Sequence, residues 1–111
     1  MGELNPIYRE TPEQMRKMAI LTKIKKHVYN TGLDIHDPFT DFDKSGRGFL
    51  NRSHMKRALH FLRIGHGLRC DISCSDLEFL LDCYAIDDGY VNYKKLLADF
   101  HKGILVFLLN R

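Results

Sequence analysis

No stretch of this sequence is both long and apolar enough to cross a bilayer. The longest apolar run, Ile104–Leu109, falls far short of the roughly 20 residues that a membrane helix needs. Met1–Pro6 is polar and lacks the apolar core of a secretory leader. Cysteine is scarce and odd in number: Cys70, Cys74 and Cys83 do not make a closed disulfide framework. These shortages together point to free thiols in a reducing, cytoplasmic compartment. Paired Cys-x2–4-Cys motifs are missing too. His66-x3-Cys70-x3-Cys74, joined by Cys83 or His60, is the nearest approach to a zinc set, and its spacing fits buried or incidental thiols better. A Cys–His hydrolase needs a pocket and a third, orienting group, and nothing marks either, so no catalysis is expected. The basic segments also lack the interleaved aromatics of single-strand nucleic-acid binders.

What is present fits one all-helical domain. The 111 residues are 44% hydrophobic and 28% charged, enough for a single core with a soluble surface. The net charge of +3 is unevenly spread. Residues 1–69 carry 13 Lys/Arg against 7 Asp/Glu, and residues 70–111 carry 4 against 7. The basic front half suits an acidic partner, although a solvated charged face gives the same pattern.

Residues 1–10 lack periodicity and read as an extended arm. Thr11-Pro12-Glu13-Gln14 is a helix start with a capping box. Met15, Met18, Ala19, Leu21, Thr22, Ile24, Val28 and Tyr29 follow at helical spacing, and Gly32 closes that helix. Asp37-Pro38 predicts a second start, capped by Asp37, with Phe39 and Phe42 on one face. Asp43–Gly48 is turn chemistry. Asn51 or Ser53 caps a helix through Met55, Ala58, Leu59 and Leu62, ending near Gly65, and residues 65–72 read as a linker. Ser73 with Asp76 opens a helix carrying Leu77, Leu80, Leu81 and Tyr84 on its buried face. After the Asp87-Asp88-Gly89 turn, Asn92 caps a last helix through Tyr93, Leu96, Leu97 and Phe100. Gly48-Phe49-Leu50-Asn51 and Gly89-Tyr90-Val91-Asn92 share a Gly–aromatic–aliphatic–Asn pattern, which makes helix–turn–helix an internal repeat.

Phe42–Leu50 and Asp88–Tyr93 resemble the loops of a pair of EF-hands of the calmodulin superfamily, a likeness covering roughly residues 33–101. The resemblance implies an all-α domain, residues 11–102. In it two hands fold face to face behind an extra N-terminal helix, with a minimal β-ladder between their loops. The sixth loop position turns sharply and takes Gly48 and Gly89; the eighth is aliphatic and takes Leu50 and Val91. A frame starting at Asp41 would put Gly48 at the aliphatic eighth position and Arg52 at the twelfth, so the frame starting at Asp43 is preferred.

In that frame neither loop is equipped for calcium, which needs a ring of oxygens closed by a bidentate Glu. The first loop offers Asp43, Ser45, Arg47, Asn51 and His54. The second offers Tyr84, Ile86, Asp88, Asn92 and Lys95. Each has one carboxylate and a cation at a ligand position. Two pairings are therefore expected to replace the ion: Arg47 with Asp43, and Lys95 with Asp87 or Asp88. No metal and no cofactor is expected.

Lys23, Lys25 and Lys26 on the first helix are candidate partner contacts. So are Ile104, Leu105, Phe107 and Leu108 in the apolar tail, residues 103–111, which would fill either the chain's own groove or a partner's. Lys23-x-Lys25-Lys26, Asp37–Asp43 and Lys56–Leu59 further resemble the degenerate EF-hands of ciliary and flagellar axoneme proteins. The likeness continues through Ile72-Ser73, Asp76, Leu80, Tyr84, Tyr90–Tyr93 and Leu97-x-Asp99-Phe100. That resemblance implies a calcium-independent structural protein bound to tubulin on doublet microtubules, often on the lumenal side, and to other axonemal proteins. The competing expectations are a light-chain-like subunit gripping one helix of a motor or enzyme, and a calcium sensor.

Overall fold

Thr11 starts helix α1, Pro12–Thr31, by the reciprocal bonds its sequence predicts. Its hydroxyl accepts the Gln14 N–H at 3.1 Å, and the Gln14 side chain accepts the Thr11 N–H at 3.0 Å. Gly32, at φ 71°, ends the helix by donating its N–H to the Val28 carbonyl at 2.9 Å. This computed structural model describes residues 11–109, without the side chains of Asp88 and of residues 103–109. The arm expected over residues 1–10 therefore lies outside the described residues, as do the contacts expected of Ile104, Leu105, Phe107 and Leu108.

Four further helices and a small antiparallel sheet follow in two helix–loop–helix units. The first joins α2, Asp37–Phe42, to α3, Arg52–Phe61, and the second joins α4, Cys74–Cys83, to α5, Tyr93–Leu109. Three of the starts are capped as expected. Asn51 Oδ1 accepts the His54 N–H at 2.8 Å, Ser73 Oγ the Asp76 N–H at 3.1 Å, and Asn92 Oδ1 the Lys95 N–H at 3.0 Å. The start of α2 differs. Asp37 is already helical, the preceding His36 makes no side-chain cap, and Asp34 holds the His36 N–H at 2.9 Å instead.

Strands β1, Leu50–Asn51, β4, Ala85–Ile86, and β5, Tyr90–Val91, form one sheet in the order β1-β5-β4. Leu50 pairs with Val91 across the two units, and β4 pairs with β5 as a hairpin closed by a 3-10 turn over Asp87–Gly89. The expected linker holds structure of its own. Strands β2, Ile64–Gly65, and β3, Cys70–Asp71, pair in parallel, so α3 stops at Phe61 rather than near Gly65. Arg63, at φ 62°, makes that break, its N–H bonded to the His60 carbonyl at 2.8 Å, and Ile64 then drops into the core.

The two units and α1 share one core. Ile20, Leu21, Ile24 and Val28 of α1 pack with Phe39, Met55, Leu59, Leu80, Leu81, Val91, Leu96 and Phe100. Phe39 of the first unit stacks on Tyr93 of the second, centroids 5.6 Å apart. Met15, Met18 and Tyr29, read as part of the α1 stripe, face outward, because α4 and α5 cover only one side of that helix. Arg52 bonds both Glu78 and Asp82, and Lys56 reaches Glu78, so ion pairs also tie α3 to α4. Among the described residues no helix is long and apolar enough to cross a membrane.

Candidate functional site

Both loops are closed by the protein's own groups. In the first, Asp43 is only 6% exposed and both its oxygens are occupied. Oδ1 accepts the Arg47 N–H at 3.0 Å. Oδ2 accepts the Gly48 N–H at 2.7 Å and the Tyr93 hydroxyl at 2.6 Å. Burial alone would raise the Asp43 pKa, but these donors, with the Arg47 charge behind them, outweigh it and hold the carboxyl below its ordinary range. The same burial and bond push Tyr93 the other way, up to about 12. A cation approaching Asp43 would therefore compete with N–H and O–H donors already seated on both oxygens.

Arg47 does not pair with Asp43 through its side chain, as the sequence had suggested. Its guanidinium lies over the rings of Phe49 and Tyr90, 4.7 Å and 5.7 Å from their centroids, and those rings meet edge to face at 5.1 Å. Only its backbone N–H reaches the carboxylate. Gly48 sits at φ 91°, which places its N–H inside the turn, and it is buried beneath the Lys94 side chain. Ser45 is exposed at the tip, and the His54 ring stacks on Phe42 at 5.0 Å. Asn51, the ninth residue of the frame, spends its side-chain oxygen on the α3 cap.

The second loop is more thoroughly closed. Ile86 is part of β4, Val91 is buried in β5, and the Asn92 N–H bonds the Tyr84 carbonyl at 2.8 Å. Gly89, at φ 78°, turns the hairpin. Asn92 caps α5 through its side chain, toward the N–H of Lys95. Tyr84 turns inward, its hydroxyl bonded to Asp99 at 2.6 Å, and burial followed by that bond raises its pKa well above the ordinary phenol value. Asp99 is shared with Lys17 at 3.7 Å. No ion pair joins Lys95 to Asp87 among the described residues, and the Asp88 side chain lies outside them.

The proposed partner lysines separate. Lys23 and Lys26 are exposed, with the Lys23 ammonium donating to the Asp71 carbonyl. Lys25 is 3% exposed, so it is not a surface contact. Burial lowers its pKa and the nearby Asp99 charge partly offsets that. All three lysines are candidate contacts by charge, but the helical turn between neighbouring positions carries Lys25 toward the side of α1 that is covered. Two surface features escaped the sequence reading. His60, Arg63 and Arg69 line a cleft with Phe61, Gly67 and Leu68 and no acidic residue. Pro38, Phe42, Arg57 and Phe61 line a second cleft between α2 and α3, where Phe61 is 65% exposed. The segments flanking and connecting β2 and β3, which line the first cleft, have no periodic signature.

All three cysteines are free thiols, Cys70 buried and Cys74 and Cys83 exposed. No group of three or more His, Cys, Asp or Glu side chains is gathered as a metal site among the described residues. Comparison with known proteins gives no match to a family model, a curated protein or a solved structure.

Proposed function

We propose that the chain is a calcium-independent, EF-hand-like structural adaptor that works by binding protein partners and carries out no catalysis. The observation that carries this reading is Asp43, the single carboxylate at a ligand position of the first loop, with both oxygens committed to internal donors. The paired loops, the Leu50–Val91 ladder and the two turn glycines support the EF-hand resemblance. A loop whose lone ligand carboxylate is held by internal donors lacks the trigger for calcium-driven opening, and a constant surface is what remains.

The partner favoured by the charge is acidic. Lys23, Lys26, Arg63 and Arg69 are exposed or line open clefts on the basic half of the chain, which suits the acidic tubulin lattice of an axonemal doublet. Two experiments test the reading. Calcium titration followed by amide NMR should leave the Asp43 and Gly48 signals unmoved at micromolar ion; a saturable shift there overturns calcium independence. Co-sedimentation with microtubules should weaken with salt and with the paired change Lys23→Glu/Lys26→Glu, and binding indifferent to both overturns the acidic-partner assignment.

A second reading, a light-chain-like subunit, is favoured by the exposed Phe61 in the Pro38–Phe42–Arg57 cleft. It expects a one-to-one complex with an amphipathic helical peptide that Phe61→Glu abolishes.

A further inference from the structure

Arg63 and Arg69 stand apart from the other described arginines. Arg16 bonds Asp76, Arg52 bonds Glu78 and Asp82, and Arg47 and Arg57 lie over aromatic rings. The Arg63 and Arg69 guanidiniums have neither an acid nor a ring among the described residues, and both side chains are exposed. The fold brings the two together. Arg63, at φ 62°, turns the chain out of α3, Arg69 leads into β3, and the Cys70 N–H bonds the Arg63 carbonyl at 2.9 Å. With His60, Phe61, Gly67 and Leu68 they line an open cleft of about 550 Å³. Asp71, the acid closest in sequence, accepts the Gly67 N–H at 2.9 Å and lines a different cleft. We propose that the Arg63–Arg69 cleft is a docking site for an acidic peptide segment of a partner protein, anchored by one apolar side chain at Phe61.

Charge complementarity chooses the occupant. Each guanidinium offers a planar fork of donors that matches a carboxylate. A small anion seated there would leave Phe61, 65% exposed, and the half-buried Leu68 against water. A peptide that carries an apolar side chain beside its carboxylates covers both. Phe61 also borders the cleft of Pro38, Phe42 and Arg57, whose rim holds Asp37 and Asp41. Those carboxylates repel an acidic run, which sets its direction. The apolar residue meets Phe61, and the acids extend over Arg63 and Arg69, away from α2. The proposal rests on the adaptor reading, from which it takes only that the partner is an acidic protein.

The probe is a labelled peptide of glutamates around one central leucine, titrated with the full chain and followed by fluorescence anisotropy. Binding should saturate, weaken as salt is raised, and fall away when glutamines replace the glutamates. Arg69→Gln should weaken it about 3-fold and Arg63→Asn/Arg69→Gln about 10-fold, the scale of exposed ion pairs. Asparagine accepts the left-handed backbone at position 63. If that change still disturbs the turn in amide spectra, Arg69→Gln alone carries the test. Phe61→Ala should weaken binding about 10-fold without altering its salt dependence. Lys23→Glu/Lys26→Glu, on α1, should change it less than Arg69→Gln does. The proposal is overturned by absent saturation, by equal affinity for the glutamine peptide, or by a loss at the lysine pair as large as at the arginine pair. Tighter binding of a thymidine oligonucleotide at equal salt overturns it too. Salt-dependent sedimentation with microtubules by a chain that ignores the peptide sinks this site and leaves the adaptor reading standing. Peptide binding by a chain that ignores microtubules keeps the site and removes tubulin as its partner.

Discussion

At the scale of single residues, the bond between Asp43 and Tyr93 decides what the first loop can do. Removing the hydroxyl with Tyr93→Phe leaves a buried carboxylate short of one donor. The expected loss is about 1.5–3 kcal/mol, read from the urea midpoint at constant slope. The pair also shapes the pH profile. The Asp43 pKa is depressed in the fold, so its stabilisation is complete above the ordinary carboxylate range and is lost as pH falls through the folded value. The Tyr93 pKa is raised from 10.0 to about 12, so above pH 10 the unfolded chain loses the proton first and stability falls as pH climbs toward 12. Thermal midpoints should therefore drop at both extremes, and Tyr93→Phe should flatten the alkaline limb. The sequence made Asp43 legible as the loop's lone carboxylate, because turn residues and glycine spacing fix the frame. It did not reveal Tyr93, 50 positions away, whose spacing on α5 marks only an apolar face. The seat of Arg47 is hidden for a related reason: its charge next to Asp43 suggests an ion pair, while the Phe49 and Tyr90 rings hold the guanidinium instead.

At the scale of elements, the ladder between the loops is the joint to test. Leu50 and Val91 are fully buried and face each other. Leu50→Ala should cost about 2–5 kcal/mol and Val91→Ala somewhat less. Because the two touch, the double variant should depart from the sum by about 0.5 kcal/mol or more in chemical denaturation. Helix α1 carries a different expectation. Lys25 is buried and the Asp99 charge offsets that only in part, and Asp99 keeps Lys17 and the Tyr84 hydroxyl without it. Lys25→Met should raise stability by about 1 kcal/mol, a few degrees in melting temperature, and leave partner binding intact, unlike changes at Lys23 and Lys26. Most element starts were readable, since Thr11, Asn51, Ser73 and Asn92 each act through a bond only three residues away. The β2–β3 pair was not, because two-residue strands have no period and Arg63 stands where a glycine would have announced the turn.

For the whole molecule, α1 and both helix–loop–helix units draw on one buried cluster, so the fold rises or falls together. The alternation of apolar faces made that shared core foreseeable. The clefts on its surface were not, since they arise where unrelated segments happen to border. The position of β5 between β1 and β4 has one more consequence. In the second loop the backbone is already knitted on both sides, and a one-residue slip would throw Val91 out of the interior. Introducing acidic side chains with Ile86→Asp and Lys95→Glu should therefore leave calorimetric calcium uptake at zero. The hairpin thus works as a ratchet against ion uptake: substitution can decorate it, and only rebuilding the chain path could make room for an ion.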